Sequence, residues 1–437
     1  MTAEIAILNR HAVALAADSA ATRMTGGDSI KINKSANKIF SLSKYAPVGI
    51  MIYSRADYRG IPWEVVIKQY RRKLGPRTFD TIDEYAKDFL TFLINDNMII
   101  NNADTEDEIL YLIIINAIEN INAKIKRAVE NEAKNTGKIS QKRINEIIKD
   151  VYNSHFKTTS QSTPISIRRA LKYDAFKRRY KKILTRCYDD HVHLHKDIIA
   201  NIRGKFIKSI YDLVTSDLFP SGYSGIVITG FGDSDIYPSL KSYHIGDSFL
   251  GHIQFCDKEN KAISRNCSAY IVPFAQIDII SMFMNGVHSK ITEDNVILMY
   301  FVLKEFAKEI CDNVIKSKST RTAIEKYVDG RIYEVIDMYV QYLRNSQNEF
   351  SRPIVDIVRD LQPQELSRLC ETLVSLTSLK REMSWDDETV AGPVDVAVIT
   401  KGDGLVWIKR KHYFDAEINH HFFANYFRGE RDESIEE

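Results

Sequence analysis

Two short apolar runs around a polar break open this chain: Ala3-Glu4-Ile5-Ala6-Ile7-Leu8, then Asn9-Arg10-His11, then Ala12-Val13-Ala14-Leu15-Ala16-Ala17. Such a pattern reads as a β-hairpin whose second strand is closed by Asp18. The run is the stretch around which the rest of the chain is organised. It also starts immediately behind Thr2. If Met1 is removed, Thr2 begins the protein with its hydroxyl beside a free α-amine. That amine titrates near ~7.7–8.0 and can take the hydroxyl proton at neutral pH, so the pair forms a nucleophile with a built-in base.

The chain that supports this terminus has 437 residues, enough for one large domain with insertions or for two to three ordinary ones. Hydrophobic residues make up 44% and charged residues 27%, the balance of an ordinary soluble protein. The formal net charge of +2 gives no reason to expect nucleic acid from the total. Five cysteines (187, 256, 267, 311 and 370) lack metal or disulfide spacing, which suggests reduced thiols in a cytoplasmic protein. The longest apolar run, 109–115, is far short of the ~20 residues of a membrane span.

Beyond Asp18, residues 22–34 with Gly26-Gly27 read as a loop. Residues 37–42 and 48–53 read as strands, and Pro62 starts a helix over 63–72. Residues 77–218 are rich in Lys, Glu, Asn and Ile, poor in Gly and Pro, and helical in period: a helical insertion. Strands return near 225–232, 239–246, 249–256 and 262–273, followed by helices near 276–287, 293–316, 320–347 and 363–380. The last strand pair, 394–400 and 405–409, flanks Lys401-Gly402-Asp403-Gly404, and an acidic tail follows 428. Strands, helices, strands, helices, strands is an α+β order and not an alternating βαβ one.

At these residues the chain resembles the proteasome β-subunit family of N-terminal-nucleophile (Ntn) hydrolases, near the bacterial HslV-type and Anbu-type proteins. Thr2 stands where the family has its terminal threonine, and residues 16–22, Ala-Ala-Asp-Ser-Ala-Ala-Thr, resemble "AADSRAT". Asn37-Lys38-Ile39 resembles the "KKV" strand, Val48-Gly49-Ile50-Met51 the "LGTMAGG" strand, and residues 397–401 the closing "VAVITKDG" hairpin. The likeness covers roughly 170 residues and leaves out the helical insertion and the long helices before 380.

The resemblance implies a four-layer αββα Ntn-hydrolase sandwich with a large helical insertion. Its core halves are expected at 2–76 and 219–290, the insertion at 77–218 and added helices at 291–385. Closing strands at 386–428 and a tail at 429–437 complete the chain. The implied activity is hydrolysis of peptide or other amide bonds by Thr2, without metal or organic cofactor. Lys38 would lower the amine and hydroxyl pKa values, Asp18 would hold Lys38, and backbone N–H groups at Tyr53 and Ser54 would form the oxyanion hole. Lys34 is the rival lysine. A homo-oligomer and a separate ATPase partner are also implied, since this chain has no GxxxxGK[ST] loop.

Three positions depart from the family pattern. Tyr53-Ser54 replaces a Gly-Gly pair, no helper serine occurs in 272–276, and Glu388 stands for an aspartate with Ala391 where a serine is usual. These departures favour a rival reading, a catalytically inactive scaffold of the same fold acting through protein contacts. A second rival is a nucleic-acid-associated module using a basic helix over 168–186. That segment holds nine Lys/Arg against Asp174 alone, interleaved with Tyr173, Phe176 and Tyr180. The cluster Cys187, His191, His193 and His195 reads as a solvated polar helix, because only His191 and His195 share a helical face.

Overall fold

The structure is a computed structural model that describes residues 3–25, 29–33, 36–102, 105–314, 318–383, 392–412, 414 and 418–421. It forms two compact units, one from residues 1–39 and 263–437, the other from residues 40–262. The strands, in chain order, begin with β1 (Ala3–Asn9), β2 (Val13–Ala17), β3 (Ala21–Thr25), β4 (Ser29–Asn33) and β5 (Ile39–Ser41). Next come β6 (Val48–Ser54), β7 (Asp57–Tyr58), β8 (Ile61–Pro62), β9 (Ser224–Gly230) and β10 (Ser239–Phe249). The last are β11 (His252–Ala262), β12 (Ala269–Ala275), β13 (Asp395–Thr400) and β14 (Gly404–Lys409).

The first unit is organised on a five-stranded antiparallel sheet in the order β12-β1-β2-β13-β14. One face presents Ile5, Ile7, Ala14, Ala16, Val396 and Val398. The helix Pro363–Glu382 covers it with Leu366, Cys370, Leu373 and Val374. The alanines of β2 let that helix approach closely enough for the Cys370 thiol to reach Ile5 O (3.6 Å) and Ala14 O (3.5 Å). On the other face Ala6, Leu8 and Leu15 are also fully buried. A continuous apolar run, not an alternating one, is therefore what β1 requires.

The turn between β1 and β2 is held by Asn9, itself fully buried. Its Oδ1 accepts from His11 N (2.9 Å) and Ala12 N (3.0 Å), while its Nδ2 donates to Val358 O (3.0 Å) and Leu361 O (2.8 Å). The hairpin is thereby tied to the end of the helix Lys318–Val358. The loop expected over 22–34 is instead a second hairpin, β3 paired antiparallel to β4. Its signal was present: apolar alternation at Met24, Ile30 and Ile32 on either side of Gly26-Gly27, a sequence that favours a tight hairpin turn.

The second unit carries a sheet in the order β11-β10-β9-β6-β5. Trp63, Ile67, Tyr70 and Phe89, from the helices Trp63–Leu74 and Ile82–Asn95, pack on Ile50, Ile226, Ile228 and Tyr243 of that sheet. The helices Glu106–Thr136, Gln141–Gln161 and Ile202–Val214 share a further core that takes in Phe249 of β10.

The basic segment 168–186 is not one helix. It is divided among Ile167–Ala170, Tyr173–Arg179 and Lys181–Cys187, with Phe176 and Tyr180 buried. His191 follows in a π-helical turn and His193 and His195 in a 3-10 turn, so these histidines do not lie on one regular helix. Among the described residues, no group of three or more His, Cys, Asp or Glu side chains is placed to hold a metal ion. No helix among them is long and apolar enough to cross a membrane.

Candidate active site

The register of the first hairpin decides what stands beside its open end. Glu4 pairs with Ala17, so Asp18, the next residue, comes alongside Ala3. Asp18 N donates to Ala3 O (3.1 Å), and Ala3 N donates back to Asp18 Oδ1 (2.9 Å). The amide one bond along the chain from Thr2 is thus anchored to a carboxylate.

The same carboxylate oxygen accepts from Lys38 Nζ at 2.7 Å, in an ion pair whose side chains are 8% and 0% exposed. Ala20 N donates to the second oxygen (3.1 Å). Lys38 reaches Asp18 because the chain between them is folded back: Ala36 N donates to Ser19 O (3.0 Å), closing the ends around β3 and β4. A buried ion pair survives its desolvation cost only when further hydrogen bonds satisfy its lone pairs. Here two backbone N–H groups and an ammonium do so.

Sequence reasoning overlooked a third ionisable group. Glu4 is fully buried, and among the described residues neither of its carboxylate oxygens has a hydrogen-bond partner. Burial pushes its carboxyl well above the ordinary carboxylate range; Lys38 opposes that rise, and the negative charge of Asp18 adds to it. An unpaired charge in such a place is costly, so burial favours the protonated form of the group. The available signal was one acid inside an otherwise apolar six-residue run.

Asp18 and Lys38 are therefore the expected site residues that the structure brings together. Thr2, Glu388 and the rival Lys34 lie outside the described residues. Tyr53 and Ser54 belong to the second unit, at the end of β6 opposite Gly225 and Ser224 of β9. The Tyr53 ring lies over Gly225, where an added Cβ would come within 2.0 Å of it. Its hydroxyl meets His244 Nε2 at 3.1 Å, and the His244 ring stacks on Tyr223 at 3.7 Å. Burial, helped by the charge of Lys258, pushes His244 down to about 4. The Tyr53 side chain thus serves an aromatic cluster around a neutral imidazole. Ser54 adopts a left-handed conformation, φ 69°.

No family model matches the sequence, and no curated protein matches it. Among solved structures the chain aligns with an Anbu (Gly-1) mutant from Hyphomicrobium sp. strain MC1. The identity is 9% and the TM-score 0.27, over 100% of this chain and 99% of the other. A TM-score of that size carries no weight for fold or chemistry, which rest here on the strands and side chains themselves.

Proposed function

We propose that this chain is a proteasome-like threonine hydrolase that cleaves peptide or other amide bonds with Thr2, exposed by removal of Met1. The observation that carries the reading is the Asp18 carboxylate, which binds both the Lys38 ammonium (2.7 Å) and the amide that follows Thr2 (2.9 Å). Thr2 Oγ attacks the amide carbonyl carbon while the α-amine of Thr2 takes the hydroxyl proton. The amine passes that proton to the leaving nitrogen, and the C–N bond breaks to leave an ester on Thr2. Water, deprotonated by the same amine, hydrolyses the ester and restores the hydroxyl. The positive charge of Lys38 lowers the pKa of both amine and hydroxyl. A proton held on Glu4 keeps a second negative charge from cancelling that effect. No step is routed through Tyr53, Ser54 or Glu388.

Turnover of fluorogenic peptide amides by point variants tests the reading. Thr2→Ala abolishes turnover and leaves the melting temperature unchanged, because a single terminal hydroxyl contributes little packing. Lys38→Ala also abolishes it, but leaves a buried carboxylate unpaired at a typical cost of about 3–5 kcal/mol, so its activity is read beside a melting curve. Wild-type turnover in Thr2→Ala overturns the assignment. Loss on Lys34→Ala with retention on Lys38→Ala moves the cation's role to the other lysine.

A further inference from the structure

A cavity of about 650 Å³ opens in the second unit where three helices meet. Lys177 and Arg178 reach it from Tyr173–Arg179, Lys181 from Lys181–Cys187, and Arg203 from Ile202–Val214. Among the described residues, Asp174 is the one acid in its wall. Its apolar lining is Leu184 and Ile207, both buried, with the half-buried Tyr173 beside them.

Three neighbouring arginines are neutralised and these four cations are not. Arg168 is paired with Asp212, Arg179 with Asp107 (2.9 Å) and Arg186 with Asp190 (3.7 Å). Among the described residues, Lys177, Arg178, Lys181 and Arg203 have no carboxylate within ion-pair distance. Arg203 is nonetheless held in place. Its guanidinium donates to Thr185 Oγ1 (3.2 Å) and lies 5.3 Å from the centre of the Tyr188 ring. Four like charges gathered around one hollow repel each other, and a bound polyanion relieves that repulsion. Guanidinium groups suit phosphate oxygens in particular, through paired N–H donors.

Size and surroundings favour a compact ligand over a polymer. The volume falls within the ~300–1,000 Å³ of small-molecule sites. The hollow is bounded by three helices and sets apolar side chains beside its cations, a combination that seats the organic body of a small ester. We propose that this cavity binds a phosphate ester of mononucleotide size. The phosphates meet Lys177, Arg178, Lys181 and Arg203, and the organic body lies against Tyr173, Leu184 and Ile207. This site is independent of the hydrolase reading.

Isothermal titration of the full chain with ADP, GDP, CDP, UDP, inorganic pyrophosphate and a single-stranded oligothymidylate tests it. At least one nucleoside diphosphate is expected to bind with Kd below about 100 µM, more tightly than pyrophosphate and oligothymidylate, and more weakly as salt rises. Lys181→Gln/Arg203→Gln weakens it about tenfold or more. Arg186→Gln, outside the cavity, leaves it unchanged. All these side chains are exposed, so the variants are expected to melt with the wild type; Lys177→Gln/Arg178→Gln gives a second reading if one does not. No heat from any diphosphate up to about 1 mM overturns the proposal. So does pyrophosphate or oligothymidylate binding as tightly as the esters, or equal loss in Arg186→Gln.

Discussion

The chemistry proposed for this chain rests on one carboxylate with two clients. Asp18 fixes a lysine and a backbone amide through the same oxygen, and both are buried. Glu4 completes the group as a carboxyl whose pKa burial pushes well above the ordinary carboxylate range. The sign of its effect on stability follows from linkage. A carboxyl whose pKa is raised by folding binds its proton more tightly in the native state. Its contribution is fully present below the ordinary carboxylate pKa and is lost as pH rises toward the raised value. Glu4→Gln, which cannot ionise, should therefore gain in melting temperature relative to wild type as pH is raised from 4 to 8. A gap moving the other way would mean that Glu4 is ionised and paired. Asp18 and Lys38 were singled out in the sequence by the likeness of the runs around them to a family pattern, and the structure pairs the two side chains. Glu4 was not, since a strand buried on both faces looks in sequence like a strand with one polar interruption.

At the scale of elements, Asn9 is the point on which the first hairpin depends. Two of its hydrogen bonds close the β1–β2 turn and two tie that turn to carbonyls at residues 358 and 361. Asn9→Ala leaves those buried groups unsatisfied and should destabilise the protein by about 1–3 kcal/mol. Urea unfolding measures this, and an unchanged midpoint would show that water replaces the side chain. The hairpin was readable because its apolar runs are long and its break is short. The hairpin at 21–33 was passed over because its polar residues outweighed its alternation. Residues 168–186 contain no Gly or Pro, so their sequence promised one helix. Tertiary contacts decided otherwise: the Tyr180 hydroxyl donates to Glu106 (2.5 Å) and its ring packs against Phe249, and the chain breaks at that residue.

At the scale of the whole chain, the first unit draws its sheet from three distant stretches: β1 and β2, then β12, then β13 and β14. Local patterns give the strands of such a sheet but not their neighbours, because pairing is set by contacts between stretches hundreds of residues apart. The turn Lys401-Gly402-Asp403-Gly404 marked only the local pairing of β13 with β14, and the pairing of β13 with β2 had no local signal. Helix and antiparallel sheet are what the structure displays; the threonine chemistry is a proposal about a chain end. Intact mass of the purified protein, before and after exposure to a threonine-directed electrophile such as a β-lactone, tests it most directly. The account predicts a chain that begins at Thr2 and gains one adduct, which disappears in Thr2→Ala. A chain that keeps Met1 and gains no adduct would contradict it.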